Sequence, residues 1–453
     1  MKVLGRQNLI VVIVVRVKAI LFSIFFYANS LVASPEIEYW NTSNGTEVYY
    51  VHAPQLPMVD IQIIFDAGSI RDDGQLGIAM LSNSLLAEGA DGLDADMISK
   101  GFESLGAIYS SDVGYDSASL HLRSLVKKEL LSNAIINFKK VISKPDFPQD
   151  AIERIRSQML IGIKAKQQSP STIAKTTFMS ALYQSHPYAK PSEGTESTIK
   201  AIKRDDIISF YKKYYNAKNA MIAIVGAIDR SDAKIIAEDI TSVIQDGKKA
   251  GKLPTVENLE DGQNIFIEYP SAQTHILVGQ PGVKRGDSDY FPLYVGNHIL
   301  GGGGMVSRLF SEIREKRGLS YSAYSYFSPM LFKGPFVAGL QTKTEQADEA
   351  TSVLLDNIRN YVEKGPTEEE LIAAKKNITG GYPLRIDSNS KILNYVVVIG
   401  YYKLPFDYLE TFNSNVDAVT VDSIKDAFKR RLIPDKLVLV KVGTPQNQIK
   451  TEK

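Results

Sequence analysis

The side chains able to do chemistry in this sequence form a short list. Cysteine is absent, which excludes disulfides, thiolate zinc sites, iron–sulfur clusters and cysteine nucleophiles. Five histidines remain: His52, His121, His186, His275 and His298. No two lie within five residues of one another, so a histidine pair one helical turn apart, a common metal-binding arrangement, does not exist. His275 and His298 fall on apolar stretches and read as satisfied core groups, whereas His186 precedes Pro187 and reads as a turn residue. The run Gly301-Gly302-Gly303-Gly304 lacks the Lys-Ser/Thr continuation of a phosphate loop. It reads instead as a flexible segment that a substrate or partner can approach closely. No nucleophile–base constellation is evident, so a self-sufficient hydrolase of unrelated chemistry is the weakest reading.

These residues must be positioned by a chain of ordinary globular composition, 44% hydrophobic and 23% charged, with 52 basic and 51 acidic residues. The balanced charge argues against a nucleic-acid binder, which needs a basic face. At 453 residues the chain has room for two to four domains, each with its own core. Each half opens with an apolar strand, Val59–Phe65 and Thr274–Gly279, followed by a helix-length segment, Gly77–Ala87 and Tyr290–Leu300. Further on, Ile199–Gly226 aligns without gaps on Val416–Gly443, an offset of 416 − 199 = 217 residues. Asp205/Asp422, Lys212/Lys429 and Gly226/Gly443 are among the identities, and an internal duplication accounts for them. Long helices are expected over Lys127–Ser143, Gln149–Gln167 and Asp348–Lys364. Strands and helices are grouped rather than alternating, which predicts an α+β fold of two homologous units, each an antiparallel sheet covered by helices. The units span residues 34–245 and 263–453, joined by a polar linker at 246–262. The tail after Gly443 reads as frayed.

Residues 1–33 read as a signal peptide. Lys2, Arg6, Arg16 and Lys18 are unopposed by any acidic residue, the apolar run Ala19–Ala28 follows, and small residues precede Pro35. A retained anchor is the alternative, although the run is shorter than the roughly 20 residues that span a bilayer. A complete signal already begins at Val17, which leaves open whether residues 1–16 are a true start. Cleavage removes four positive charges, so the formal +1 becomes 1 − 4 = −3. The expectation is an exported protein, periplasmic or in the cell envelope if the source is bacterial.

One stretch is far more specific than the rest: the glycine run continues as Met305-Val306-Ser307-Arg308-Leu309-Phe310-Ser311-Glu312-Ile313-Arg314-Glu315-Lys316-Arg317-Gly318-Leu319-Ser320-Tyr321. With Tyr183-Gln184-Ser185-His186-Pro187-Tyr188, Gly194-Thr195 and Gly68-Ser69, it makes the chain resemble the pitrilysin/insulinase-like metallopeptidases, processing-peptidase branch. The resemblance covers nearly the whole mature chain. It implies a first helix carrying H-x-x-E-H, two zinc histidines and a water-activating glutamate. The matching positions here hold Met80, Asn83 and Ser84. The family's third ligand, a downstream glutamate, falls near Met159–Lys164, and no acidic residue occurs between Glu153 and Glu193. A thioether, an amide and a hydroxyl bind Zn²⁺ poorly, so no metal and no cofactor is expected in this chain.

The resemblance also implies a carboxyl-half Arg and a Tyr seven residues later that contact the substrate backbone and the developing oxyanion. Arg314 and Tyr321 match that spacing, and guanidinium and phenol are donors suited to the task. From spacing alone they would read as a solvated helix residue and an ordinary strand aromatic. Met305, Leu309 and Ile313 are expected to face the core, Gly318 to stop the helix, and Tyr321 to open a strand. The alternating run Tyr321–Phe327 reads as a strand packed on one face, and Gly301, Gly302, Gly303 and Gly304 as substrate-binding positions. The expected function is a non-catalytic subunit of an exported heterodimeric zinc peptidase. Arg314 and Tyr321 would assist a homologous H-x-x-E-H partner that holds zinc and acts on peptides or unfolded polypeptides. The alternative is a structural or peptide-holding subunit, like the core proteins of respiratory complexes. Neither involves nucleic acid, and membrane contact is expected only through an uncleaved signal segment.

Overall fold

The computed structural model describes residues 35–445; the signal segment and the tail beyond Pro445 lie outside the described residues. Strands in the first half are β1 (Glu38–Asn41), β2 (Glu47–His52), β3 (Met58–Phe65), a small hairpin β4 (Gly89–Ala90) and β5 (Leu93–Asp94), β6 (Ile108–Val113), β7 (Ala118–Leu125) and β8 (Ala220–Gly226). The second half supplies β9 (Gln263–Glu268), β10 (Gln273–Pro281), β11 (Ser320–Phe327), β12 (Pro335–Lys343) and β13 (Val438–Gly443). The first sheet has the order β1-β2-β8-β3-β7-β6 and the second β9-β13-β10-β12-β11. Apart from β1, the two orders correspond strand for strand. In both, the first and last strands of the repeat pair parallel while their neighbours are antiparallel. The duplication seen in one helix–strand pair therefore extends through the whole topology. Neither half opens with β3 or β10, however: β2 and β9 precede them. Both are short, and polar residues at their ends, Glu47 and His52, Gln263 and Glu268, leave no long apolar run to mark them.

Each sheet buries one face against helices of its own half. Val59, Ile61, Ile63 and Phe65 alternate along β3 and point into one core with Leu120, Leu122, Phe138 and Ile152. The opposite faces are covered by exchange. The helix Asn389–Tyr401, from the second half, lies across β8 and β3 of the first sheet. It shares a core with Tyr49, Val51, Ile64 and Met221 through Val396 and Ile399. The helix Pro170–Tyr183, from the first half, lies in the same way across β13 and β10, with Ala174, Phe178 and Leu182 against Val438, Val440 and Val442. This double coverage explains why β8 is buried at every residue and reads as a continuous apolar run.

Residues 36 onward accordingly form one compact unit. Buried Asp116, before β7, ties the halves further. Its carboxylate accepts from the Tyr402 hydroxyl and the Leu331 N–H at 2.8 Å each, and from the Tyr188 hydroxyl. The linker contains neither helix nor strand but is laid down firmly. Val256 and Leu259 are buried, and Ala250 N–H donates to Asn219 Oδ1 at 2.6 Å.

Candidate functional site

The helix that would carry the family's metal runs Ile78–Ser84. Its start is fastened by Asp72, whose carboxylate accepts from the N–H groups of Gly77 (2.7 Å) and Ala79 (3.1 Å). Burial pushes the Asp72 carboxyl up to about 7 despite these two bonds. Asn83 is buried, and its Nδ2 donates to the Tyr215 hydroxyl at 3.0 Å. The amide at the expected glutamate position thus serves packing, and Tyr215 in turn lies against Phe65 with ring centres 4.8 Å apart. Met80 and Ser84 are half-buried. The helix Gln149–Gln167 runs beside this one. There Met159 and Leu160 pack on the first-half core while Ile161 is exposed. A thioether, an amide already engaged and a hydroxyl do not fit zinc. Among the described residues, no group of three His, Asp or Glu side chains is placed to hold a metal ion.

The other part of the site lies on the second sheet. Ser307 precedes a short helical turn at Arg308–Phe310, which widens into a π turn at Ser311–Glu315. Gly318 ends it with φ +62, its N–H donating to Arg314 O at 3.0 Å while Leu319 N–H donates to Ile313 O at 2.9 Å. The chain then enters β11, where the register with β12 shifts between Ser320 and Ala323. A bulge of this kind re-aims side chains. Here Tyr321 is 81% exposed while Ala323 is buried.

The structure brings Arg314 and Tyr321 together. The guanidinium carbon sits 4.5 Å from the Tyr321 ring centre and 5.0 Å from that of Phe310. Its cationic neighbours are neutralised: Arg308 pairs with Glu370, and both Lys316 and Arg317 pair with Glu312. Among the described residues no carboxylate pairs with Arg314. Leu309 and Ile313 are fully buried, as their spacing predicts, but Met305 is 73% exposed. Gly304 at φ +61 breaks the helical path before Ser307, so Met305 belongs to a separate turn.

The glycine run is not the flexible loop its composition suggests. A Cβ on Gly301 would lie 2.5 Å from the backbone nitrogen of Ser325. Asn297 fixes the same contact, donating to Ser325 O at 2.9 Å and accepting from Ser325 Oγ at 2.7 Å. Gly301, Gly302 and Gly304 line a groove of about 690 Å³ along β11. A second groove of about 610 Å³ lies beside it and reaches Phe178 and Met179 of the exchanged helix. On β11 the small residues Ala323 and Ser325 are buried, whereas Tyr324 and Tyr326 stack with ring centres 6.0 Å apart and help line both grooves.

His186 is a turn residue, accepting from Tyr188 N–H at Nδ1, 3.1 Å away. Burial lowers the His275 imidazole below its ordinary value. His298 departs from expectation: its Nε2 is buried without a hydrogen-bond partner among the described residues, unlike a satisfied core group. It shares the larger groove with Arg285 and Arg385. Sequence reading passed over both arginines because they lie about a hundred residues apart in the chain with no motif around either.

Residues 47–196 match the insulinase family, peptidase family M16, and residues 201–378 match the peptidase M16 inactive domain. The non-peptidase homologue YmxG of Helicobacter pylori is 28% identical over 84% of this chain and 88% of its own length. An uncharacterised zinc protease of Rickettsia bellii is 26% identical, covering 81% of this chain and 89% of its own. The crystal structure of a peptidase M16 inactive domain from Pseudomonas fluorescens superposes with a TM-score of 0.88 at 38% identity, over 90% of this chain and 98% of that one. The two M16 domain matches, one following the other along the chain, place it in the M16 peptidase family.

Proposed function

We propose that this chain is the non-catalytic subunit of an exported heterodimeric zinc peptidase. It would supply Arg314 and Tyr321 to the active site of a homologous H-x-x-E-H partner. The observation that carries this reading is the exposed Arg314–Tyr321 stack, held by a π turn, a glycine stop and a bulge, and left without a carboxylate. Those devices hold two strong donors that pair with no carboxylate among the described residues. Zinc and the water-activating glutamate would belong to the partner. In the complex, the Tyr321 hydroxyl donates to the oxygen that gains charge as the peptide carbonyl is attacked. Arg314 holds the neighbouring backbone carbonyl with its planar fork. The name of the Helicobacter relative and the inactive-domain match support the loss of independent activity. The basic, apolar and small-residue start supports export, to the periplasm or envelope of a bacterium.

The test is co-purification from the native host followed by peptide cleavage. The mixed complex should cleave, and each chain alone should not. The rival, a structural or peptide-holding subunit, draws on the two grooves flanking β11. It predicts a stable complex whose turnover is indifferent to Arg314 and Tyr321.

A further inference from the structure

The larger groove beside β11 holds more unspent positive charge than packing requires. Among the described residues Arg285 and Arg385 both line it, and no Asp or Glu does. The carboxylates close to them in sequence are already engaged: Asp287 and Asp289 by Arg430 and Arg431, and Asp387 by Lys391. Arg285 instead lies 5.7 Å from the Tyr402 ring centre, and Arg385 lies 5.9 Å from that of Tyr294, with hydrogen bonds to the Tyr294 and Tyr395 side chains but no carboxylate partner among the described residues. Among the described residues Arg285 Nε is buried without a partner, as is His298 Nε2. Burial, and secondarily Arg385, hold the His298 imidazole below its ordinary value, so near neutral pH it brings a hydrogen bond rather than a third charge. Two guanidiniums facing one space without counterions suit an anion, above all a carboxylate that can take a planar fork.

The remainder of the groove indicates what carries that carboxylate. It extends along β11, the outer strand of its sheet, and is walled by the rings of Tyr290, Tyr294, Tyr324 and Tyr326. An outer strand beside an aromatic-walled slot is built for an extended backbone with alternate side chains in pockets. A free small anion would leave most of the roughly 690 Å³ unfilled. We propose that this groove binds an extended peptide segment through a side-chain carboxylate held by Arg285 and Arg385, with an adjoining apolar residue against the tyrosines. The proposal rests on reading the chain as a peptide-handling subunit, and it deepens that reading by naming acidic, aromatic-containing segments as the preferred substrate class. It requires neither Arg314 nor Tyr321 nor a partner chain.

The experiment is fluorescence anisotropy on the purified single chain with two labelled decapeptides, identical except for a central Phe-Glu or Phe-Gln. The Glu peptide should bind about tenfold more tightly or better, as a charge-assisted hydrogen-bonded contact requires. Arg285→Gln with Arg385→Gln should erase that preference. Arg385→Gln alone, at an exposed position that folding tolerates, should reduce it at least threefold, roughly the share of one of the two charges. Equal binding of the two peptides would overturn the proposal, as would a preference that survives in the double variant. Inorganic phosphate binding as tightly as the Glu peptide would overturn it too, by showing a site for free anions. Failure here leaves the catalytic-assistant reading standing, because that reading is scored by turnover of the mixed complex. Loss of that turnover effect, conversely, leaves peptide binding by the single chain intact.

Discussion

The Arg314 guanidinium lies 4.5 Å above the ring of Tyr321 and 5.0 Å from that of Phe310. A stack of this kind is worth about 0.5–1 kcal/mol at an exposed site. That is enough to bias two mobile side chains toward one arrangement and too little to account for the π turn, the glycine stop and the bulge around them. Substituting Phe310 with Ala should therefore loosen Arg314 without unfolding the chain. Its side chain is almost fully buried, so a loss of about 3–5 kcal/mol in stability is the upper bound. Urea unfolding gives that loss, and the complex should show weakened turnover wherever the fold survives.

The exchanged helices make each half depend on the other. A fragment of residues 36–245 would leave Tyr49, Val51, Ile64, Met221 and Val225 uncovered, because the helix Asn389–Tyr401 that packs on them comes from the second half. Expressed alone, the fragment should aggregate or lack a cooperative unfolding transition. Co-expression with residues 246–453 should restore a soluble complex. A cooperatively folded, monomeric fragment seen by calorimetry and gel filtration would contradict the exchange.

Rebuilding the motif should not rebuild the metal site. In Met80→His, Asn83→Glu, Ser84→His the third ligand is still missing, and the new carboxylate occupies a position that is 2% exposed and bonded to Tyr215. Elemental analysis should find no stoichiometric zinc, and the melting temperature should fall because a buried charge replaces a satisfied amide. One tightly bound zinc per chain would overturn this account of the site.

Asp72 makes stability depend on pH in a definite direction. Its carboxyl stands at about 7 in the folded chain against an ordinary 3.8, so the folded state favours the neutral form. The stability this contributes is fully present below about pH 3.8 and is lost as pH rises through about 7. Asp72→Asn cannot titrate. The stability of the wild type relative to this variant should therefore fall between about pH 4 and pH 8, read by denaturant unfolding across that range. A difference that stays flat or rises with pH would contradict it.

What the sequence revealed followed from how local each signal was. The α+β class and the duplication were legible because the apolar strands and the closing helix–strand pair repeat in order. Leu309, Ile313, Gly318 and Tyr321 were legible because their roles depend on neighbours within one turn. Met305 was misjudged because helical spacing says nothing of a glycine at positive φ one residue earlier. The glycine run looked flexible because composition does not show that Ser325 and Asn297 close over Gly301. The helix exchange, and the convergence of Arg285, His298 and Arg385, are purely tertiary, with no periodicity or motif to mark them.

The central claim is that this chain completes a partner's active site, and Tyr321→Phe tests it most directly. The substitution removes one hydroxyl from an 81% exposed ring while keeping the surface on which Arg314 stacks, so folding and pairing should be unchanged. In the reconstituted heterodimer, with gel filtration confirming assembly, kcat should fall by roughly 10²–10³ with KM little altered, as loss of one oxyanion donor predicts. Normal assembly with turnover within about twofold of wild type, less than 0.5 kcal/mol in the barrier, would contradict the account and leave a structural subunit in its place.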